Sequence, residues 1–248
     1  MTRQEKSTGF LKQLNKTDNS MLRTFRYLHC IWFVANELVS LYTDGFNYDH
    51  KYKFKTDWGW WLYGAYVITI AYAHYKHETQ GKALSADTSS PFSLWKVCTA
   101  LFELVIVDHL IITIFYWGLV HPGLDPPHSY WRLMKHSAPF PLMFIDFLMS
   151  NMLIEMRHLA ATVFYVACYA TLIITYTLTQ KPDTIYDFAH LTSAVSWAMV
   201  GGIIIASVCS HLLFATVSRI RHNSKLATSS DDLALEADKE SLVLIILP

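Results

Sequence analysis

Apolar residues in this chain come in long uninterrupted blocks, not in the short rhythms of half-buried strands or surface helices. The blocks fall at about 27–46, 57–75, 94–119, 136–154, 158–180 and 190–218. Each is near the roughly twenty residues that a helix rising 1.5 Å per residue needs to cross a ~30 Å hydrocarbon core. The pattern predicts an all-α integral membrane bundle of six transmembrane helices. An even number of crossings puts both termini on one side. The connectors are short except 76–93, where GKALSADTSSP has the Gly, Ser and Pro content of a flexible loop. The expected organisation is an N-terminal segment 1–26, a membrane domain 27–220 and a tail 221–248. That tail is acidic and rich in serine near its start, so it is expected to be largely disordered. It closes on SLVLIILP, apolar but too short to span.

Composition agrees with the pattern. Of 248 residues, 52% are hydrophobic and only 16% charged, against about a quarter charged in soluble domains. Twenty Lys and Arg balance twenty Asp and Glu, so net charge points to no nucleic-acid partner. Cys30, Cys98, Cys168 and Cys209 all lie in apolar runs without paired spacing, which suggests packed thiols in place of disulfides or zinc ligands. The first 26 residues are polar and lack the apolar stretch of a cleavable signal, so the first span is expected to direct its own insertion.

Orientation follows from the basic flanks. Thirteen Lys and Arg residues lie on the side shared by the termini and six on the other, with Lys96 inside the third span. The excess of positive charge on the cytoplasmic side of membrane proteins then places both termini in the cytosol. The sequon at Asn15 would stay unmodified there. The expected location is the endoplasmic reticulum or the plasma membrane, and nothing in the chain sets an oligomeric state.

Ionisable residues within spans are costly, so each calls for a partner or a function. Glu37, Glu103, Asp108, His109 and Asp146 stand out. Counting from the span ends puts Glu37, Asp108 and Asp146 at one depth, roughly 15 Å below the outer boundary. Interhelical hydrogen bonds are one reading of this set, and a proton pathway is the other. The histidines lack repeated clusters, so no metal or other cofactor is expected; His74 and His77 form an isolated pair at a helix end.

A second constellation lies at the outer boundary. Thr56 opens the second span and His136 opens the fourth, so topology alone puts a hydroxyl and an imidazole at one level. A threonine hydroxyl needs a neighbouring base to become a nucleophile, and histidine titrates in the useful range. Thr56 is equally a good helix N-cap. Lys51, Lys53 and Lys55 alternate toward Thr56. Lys53 and Lys55 are candidates to pair with a substrate carboxylate, while an acyl chain lies among Trp58, Trp60, Trp61 and Tyr63. An interfacial belt of Trp, Tyr and Lys has the same composition.

The segment Phe54-Lys55-Thr56-Asp57-Trp58-Gly59 resembles the Phe/Tyr-x-Thr-x-Trp opening of an early span in the rolling stone proteins. These are relatives of the androgen-induced and androgen-dependent TFPI-regulating proteins, which are membrane threonine hydrolases. HSAPFPLMFID, from His136 to Asp146, is similar to the second signature of that family, with Pro141 five residues and Asp146 ten residues beyond the histidine. The likeness runs more diffusely from about Trp32 to Arg221. It implies that Thr56 and His136 are the catalytic pair and that the substrate is a fatty acid ester of a hydroxy fatty acid. Asp146 stands where the hydrolase branch has glutamate, and the Thr56 segment is closer to the rolling stone branch, which is associated with myoblast fusion.

Three functions therefore stand as expectations. The first is intramembrane hydrolysis of a lipid ester by Thr56 and His136, with Asp146, Asp108, His109 and Glu37 as a secondary polar network. A non-enzymatic membrane protein of adhesion or fusion is the alternative, and a proton-linked carrier is the third. The first requires the Thr56 hydroxyl to lie within about 8 Å of the His136 ring, since larger rearrangements are implausible.

Overall fold

The computed structural model describes residues 20–44, 55–80, 93–120, 130–150, 152–179, 191 and 193–246. Every regular element among them is helical. In chain order these are α1 (Ser20–Asp44), α2 (Lys55–Gln80), α3 (Leu94–Phe115), α4 (Tyr130–Ser137), α5 (Pro139–Met149), α6 (Leu159–Thr179) and α7 (Ala194–Ile246). A π-helical turn, Tyr116–Val120, extends α3, and a 3-10 turn, Met156–His158, leads into α6. Three stretches, Leu94–Gly118, Met156–Thr179 and Ala194–Ser224, are long and apolar enough to cross a membrane.

Helix α3 is the centre of the bundle. It packs on α2, α4, α5 and α7, and 56% of its apolar window is buried, against 28% and 33% for those of α6 and α7. Its core face (Cys98, Phe102, Val105, Ile106) meets Tyr63, Tyr66 and Ile70 of α2 and Met143 and Phe147 of α5. Helices α1 and α2 close on an aromatic seam. The rings of Phe33 and Trp60 lie 5.0 Å apart, and those of Trp60 and Tyr63 stack at 5.6 Å. Gly64 admits the Phe33 ring, which would collide with any Cβ there.

The fourth apolar run is not one helix. It divides into α4 and α5 at Ala138, and α5 is only 11 residues long, about 16 Å. Pro139 and Pro141 cause the break. They lack the N–H groups that would bond the carbonyls of Lys135 and Ser137, while proline is welcome in the first turn of a new helix. Beyond Met149 the chain runs without helix from Met152 to Glu155. Arg221 of α7 closes that end of α5, donating to the carbonyls of Phe147 and Ser150 and stacking on the Phe147 ring at 4.4 Å.

The C-terminal region also departs from expectation. The structure continues α7 without interruption to Ile246, where composition suggested a disordered tail. The acidic stretch is also rich in Leu, Ala, Glu and Lys, which favour helix. The 76–93 loop falls mostly outside the described residues, as do Lys51 and Lys53.

Large apolar side chains face outward along many helices. They include Leu28, Ile31 and Leu38 of α1, Trp61, Ile68 and Tyr72 of α2, Phe144 and Leu148 of α5, and Trp197, Ile205 and Leu213 of α7. Several polar groups point inward instead: Arg26, His29, Asn36 and Ser40 of α1 and His74 of α2 are buried.

Candidate functional site

One end of the bundle gathers the start of α2, the end of α3 and the short α4. Thr56 lies in the first turn of α2, inside the helix and not at its cap. His136 is the penultimate residue of α4, just before the proline break. Thr56 Oγ1 and His136 Nδ1 are 3.4 Å apart, and both residues are half-buried. That is long for a hydrogen bond. The hydroxyl and the ring nitrogen are thus in loose contact.

Neighbouring groups hold both partners. The His136 ring lies flat on that of Tyr116, with centroids 3.7 Å apart and planes at 7°. Its carbonyl accepts the Thr113 hydroxyl at 2.8 Å. On either side of it, Lys135 Nζ meets Asp57 Oδ1 at 2.8 Å, and Ser137 Oγ accepts the Trp117 indole N–H at 3.2 Å. Tyr116 and Trp117 come from the π-helical turn. Such turns re-aim side chains relative to a regular helix and recur at functional sites.

Asp108 and His109 lie against the same turn of α2. Asp108 pairs with Lys55 and accepts the Tyr165 hydroxyl at 3.1 Å. His109 Nε2 is 3.0 Å from the Gly59 carbonyl, so it carries the proton and donates. Gly59 makes this approach possible: a Cβ there would sit 2.7 Å from Asp108 Oδ2. Lys55 is thereby engaged. Its ammonium lies 4.1 Å above the Tyr165 ring. A lysine already paired with a buried carboxylate is a poor receptor for a substrate carboxylate. The aromatic residues also divide: Trp60 and Tyr63 are core, Trp58 packs on Tyr165 and Tyr169, and Trp61 is exposed.

Glu37 and Asp146 lie elsewhere. Glu37 accepts the Trp60 indole N–H. Asp146 is completely buried, with Arg26 Nη2 at 2.8 Å, Arg26 Nε at 3.1 Å and the Tyr66 hydroxyl at 2.6 Å. Arg26 Nη1 is also 3.0 Å from His74 Nε2. The three carboxylates thus face Lys55, Trp60 and Tyr66, eleven residues or about 16 Å along α2. They do not share a depth. Depth was counted from where apolar character ends, whereas Asp108 lies seven residues before the end of α3 at Phe115, and the long Lys55 side chain reaches it from the first turn of α2.

The far end holds a second polar group around the non-helical segment. Glu103 accepts the Glu155 N–H at 3.1 Å and contacts His158 Nδ1 at 2.8 Å. His211 Nε2 is 3.2 Å from the Glu155 carbonyl, and its Nδ1 is 3.0 Å from the Thr162 hydroxyl. These bonds satisfy the buried Glu103, Thr162 and His211 side chains and the backbone of the non-helical segment. Among the described residues, no three His, Cys, Asp or Glu side chains converge as a metal site.

The sequence reading missed Asp57, Lys135, Tyr116 and Thr113. The charge pair had a signal, since Asp57 and Lys135 each adjoin a predicted site residue. Tyr116 had none, because its aim depends on a π turn that periodicity does not announce. Comparison of the chain with protein-family models, with curated proteins and with solved structures found no match.

Proposed function

We propose that this protein is an intramembrane threonine hydrolase of lipid esters, with Thr56 as nucleophile and His136 as base. The observation that carries the reading is the 3.4 Å approach of Thr56 Oγ1 to His136 Nδ1, from helices 80 residues apart. A hydroxyl beside an imidazole whose ring, carbonyl and sequence neighbours are all held is the arrangement that acyl transfer requires.

In the proposed reaction His136 takes the Thr56 proton at Nδ1 as Oγ1 attacks the ester carbonyl. The imidazolium then protonates the departing alkoxide, leaving an acyl-threonine. Water, deprotonated by His136, attacks the acyl carbon and restores the hydroxyl. The first turn of α2 supplies the carbonyl oxygen with a candidate cradle, because N–H groups there have no carbonyl partner within the helix. Fatty acid esters of hydroxy fatty acids are the substrate class suggested by the resemblance to the rolling stone and androgen-induced proteins. The exposed Trp61 and the half-buried Trp58, which packs on Tyr169, offer apolar surface that an acyl chain would use in this reading.

The setting of the site is a six-span bundle with both termini in the cytosol. The outward apolar faces of α1, α2 and α5, beyond the three long apolar helices, support six membrane-embedded segments. The fourth is the broken pair α4 and α5. The site then lies at the non-cytosolic boundary.

Labelling of membranes with a fluorophosphonate probe, alongside release of fatty acid from a hydroxy fatty acid ester, tests this. Wild type is expected to label and hydrolyse, and both Thr56→Ala and His136→Ala to lose label and at least about a hundredfold of the rate. Labelling that persists in both variants rejects the reading. No labelling in wild type would leave the adhesion or fusion alternative, examined by cell mixing. The carrier alternative has less support, because Asp108 and Asp146 are each committed to a cation and a tyrosine.

A further inference from the structure

We propose that the Asp57–Lys135 ion pair is the positioning device of the site, setting the distance and aim of His136 relative to Thr56. The proposal rests on the hydrolase reading. Asp57 follows Thr56 in α2, and Lys135 precedes His136 in α4, so one bridge ties the immediate neighbours of nucleophile and base. The bridge is 2.8 Å long, and its side chains are only 11% and 16% exposed. A pair so enclosed is screened less than a surface pair.

Position in the fold gives the bridge its leverage. Helix α4 has 8 residues and meets α5 at a bend at Ala138, where Pro139 and Pro141 remove two of the backbone bonds that would stiffen the junction, so α5 holds His136 less firmly than an unbroken helix would. Restraints on His136 from α3 include the Tyr116 ring on its face and the Thr113 hydroxyl on its carbonyl. Those hold α4 against α3. Among the described residues, the ion pair is a charged link that holds it against α2, the helix carrying the proposed nucleophile. Asp57 also sits in the first turn of α2, where a negative charge suits the helix dipole. Lys135 in turn occupies the last turn of α4, where a positive charge suits that helix. Each charge therefore has a reason to be on its own helix, and their meeting fixes the separation of the pair between them.

Among the described residues, charged and titratable groups at this end of the bundle include Lys55, with Asp108 and Tyr165, and His109. They are paired with one another and with the Gly59 carbonyl, on the α3 side of α2. Asp57 faces α4.

The test is a double-mutant cycle on the full-length protein in membranes, with Asp57→Asn, Lys135→Gln and the double variant, and with Lys135→Arg as the charge-conserving change. For each, kcat, KM and the fluorophosphonate labelling rate of Thr56 are measured, and thermal stability in detergent is followed. A shift of about 1 Å in reacting groups costs on the order of a hundredfold. Each single variant is thus expected to lose about ten- to a hundredfold in kcat and in labelling rate, with KM nearly unchanged. The double variant should be no worse than either single, and Lys135→Arg should retain most of the rate. Arg157→Gln, which breaks the exposed Arg157–Glu155 pair at the far end, is the control and should leave labelling unchanged. Wild-type kcat in both single variants overturns the proposal while leaving the hydrolase standing. So does a loss confined to KM, a multiplicative double variant, or a rate loss that only tracks lowered stability. Inactive wild type with an unlabelled Thr56 overturns the hydrolase itself and this proposal with it.

Discussion

Asp146 illustrates how a buried carboxylate is made tolerable. Burying an ion costs several kcal/mol unless its partner and hydrogen bonds are in place, and here Arg26 supplies a two-pronged donor while Tyr66 supplies a third bond. The Arg26 guanidinium in turn meets His74. Removing one partner strands the other, so Arg26→Met should cost about 3–5 kcal/mol, read as a fall in detergent unfolding temperature. Arg26→Met combined with Asp146→Leu should recover much of that loss, since both charges then leave together. Arg26→Lys should not rescue, because an ammonium cannot reproduce the planar fork. If the double variant is as unstable as the single, Asp146 is held by something other than Arg26. The two carboxylates closest in character, Asp108 and Asp146, thus meet α2 at its first residue and near its middle, with different cations. Their residue types were legible in the sequence, but their partners were not, because pairing depends on which way each helix is turned.

At the scale of elements, close helix packing depends on the absence of particular side chains. Gly59 faces α3, where a methyl group would press on Asp108. Gly201 and Gly202 of α7 have open space beside them. Gly59→Ala should therefore destabilise by about 1–3 kcal/mol through overpacking and disturb the Lys55–Asp108 pair. Gly201→Ala should stabilise by roughly 0.5–1 kcal/mol, the helix preference for alanine over glycine. Thermal unfolding of the two variants side by side checks this, and equal effects would mean that α2 and α3 do not approach as described. The break between α4 and α5 belongs to the same scale. Pro139 and Pro141 were visible, but the apolar run through them reads as one span; proline at the start of a helix was the signal that divided it.

For the whole molecule, the sites separate along the bundle axis. The end with Thr56 and His136 carries half-buried groups of chemical potential, and the opposite end carries the fully buried Arg26–Asp146 pair and the Glu103–His158 contact. The proposed topology places the first end away from the cytosol and both termini within it. Tags at either terminus should thus be hidden from external protease and antibody in intact cells, and both should become accessible once the plasma membrane alone is selectively permeabilised. Exposure of one terminus alone would require an odd number of crossings and would move the site to another side of the membrane. Asn15 should likewise carry no glycan.

Helical class, the apolar blocks and the shared level of Thr56 and His136 all follow from the sequence by itself, because hydropathy and chain direction set depth along a helix axis. The 3.4 Å contact between that pair, the stacking of Tyr116 on His136 and the capture of Lys55 by Asp108 were decided only in the tertiary structure. So was the stagger of the carboxylates. The physical reason is that a linear pattern specifies how far along a helix a residue lies, whereas contact also requires azimuth and neighbour. Those are set by packing of several helices at once, through glycine clearances, a π turn, a proline break and the pairing of charges that cannot be left alone.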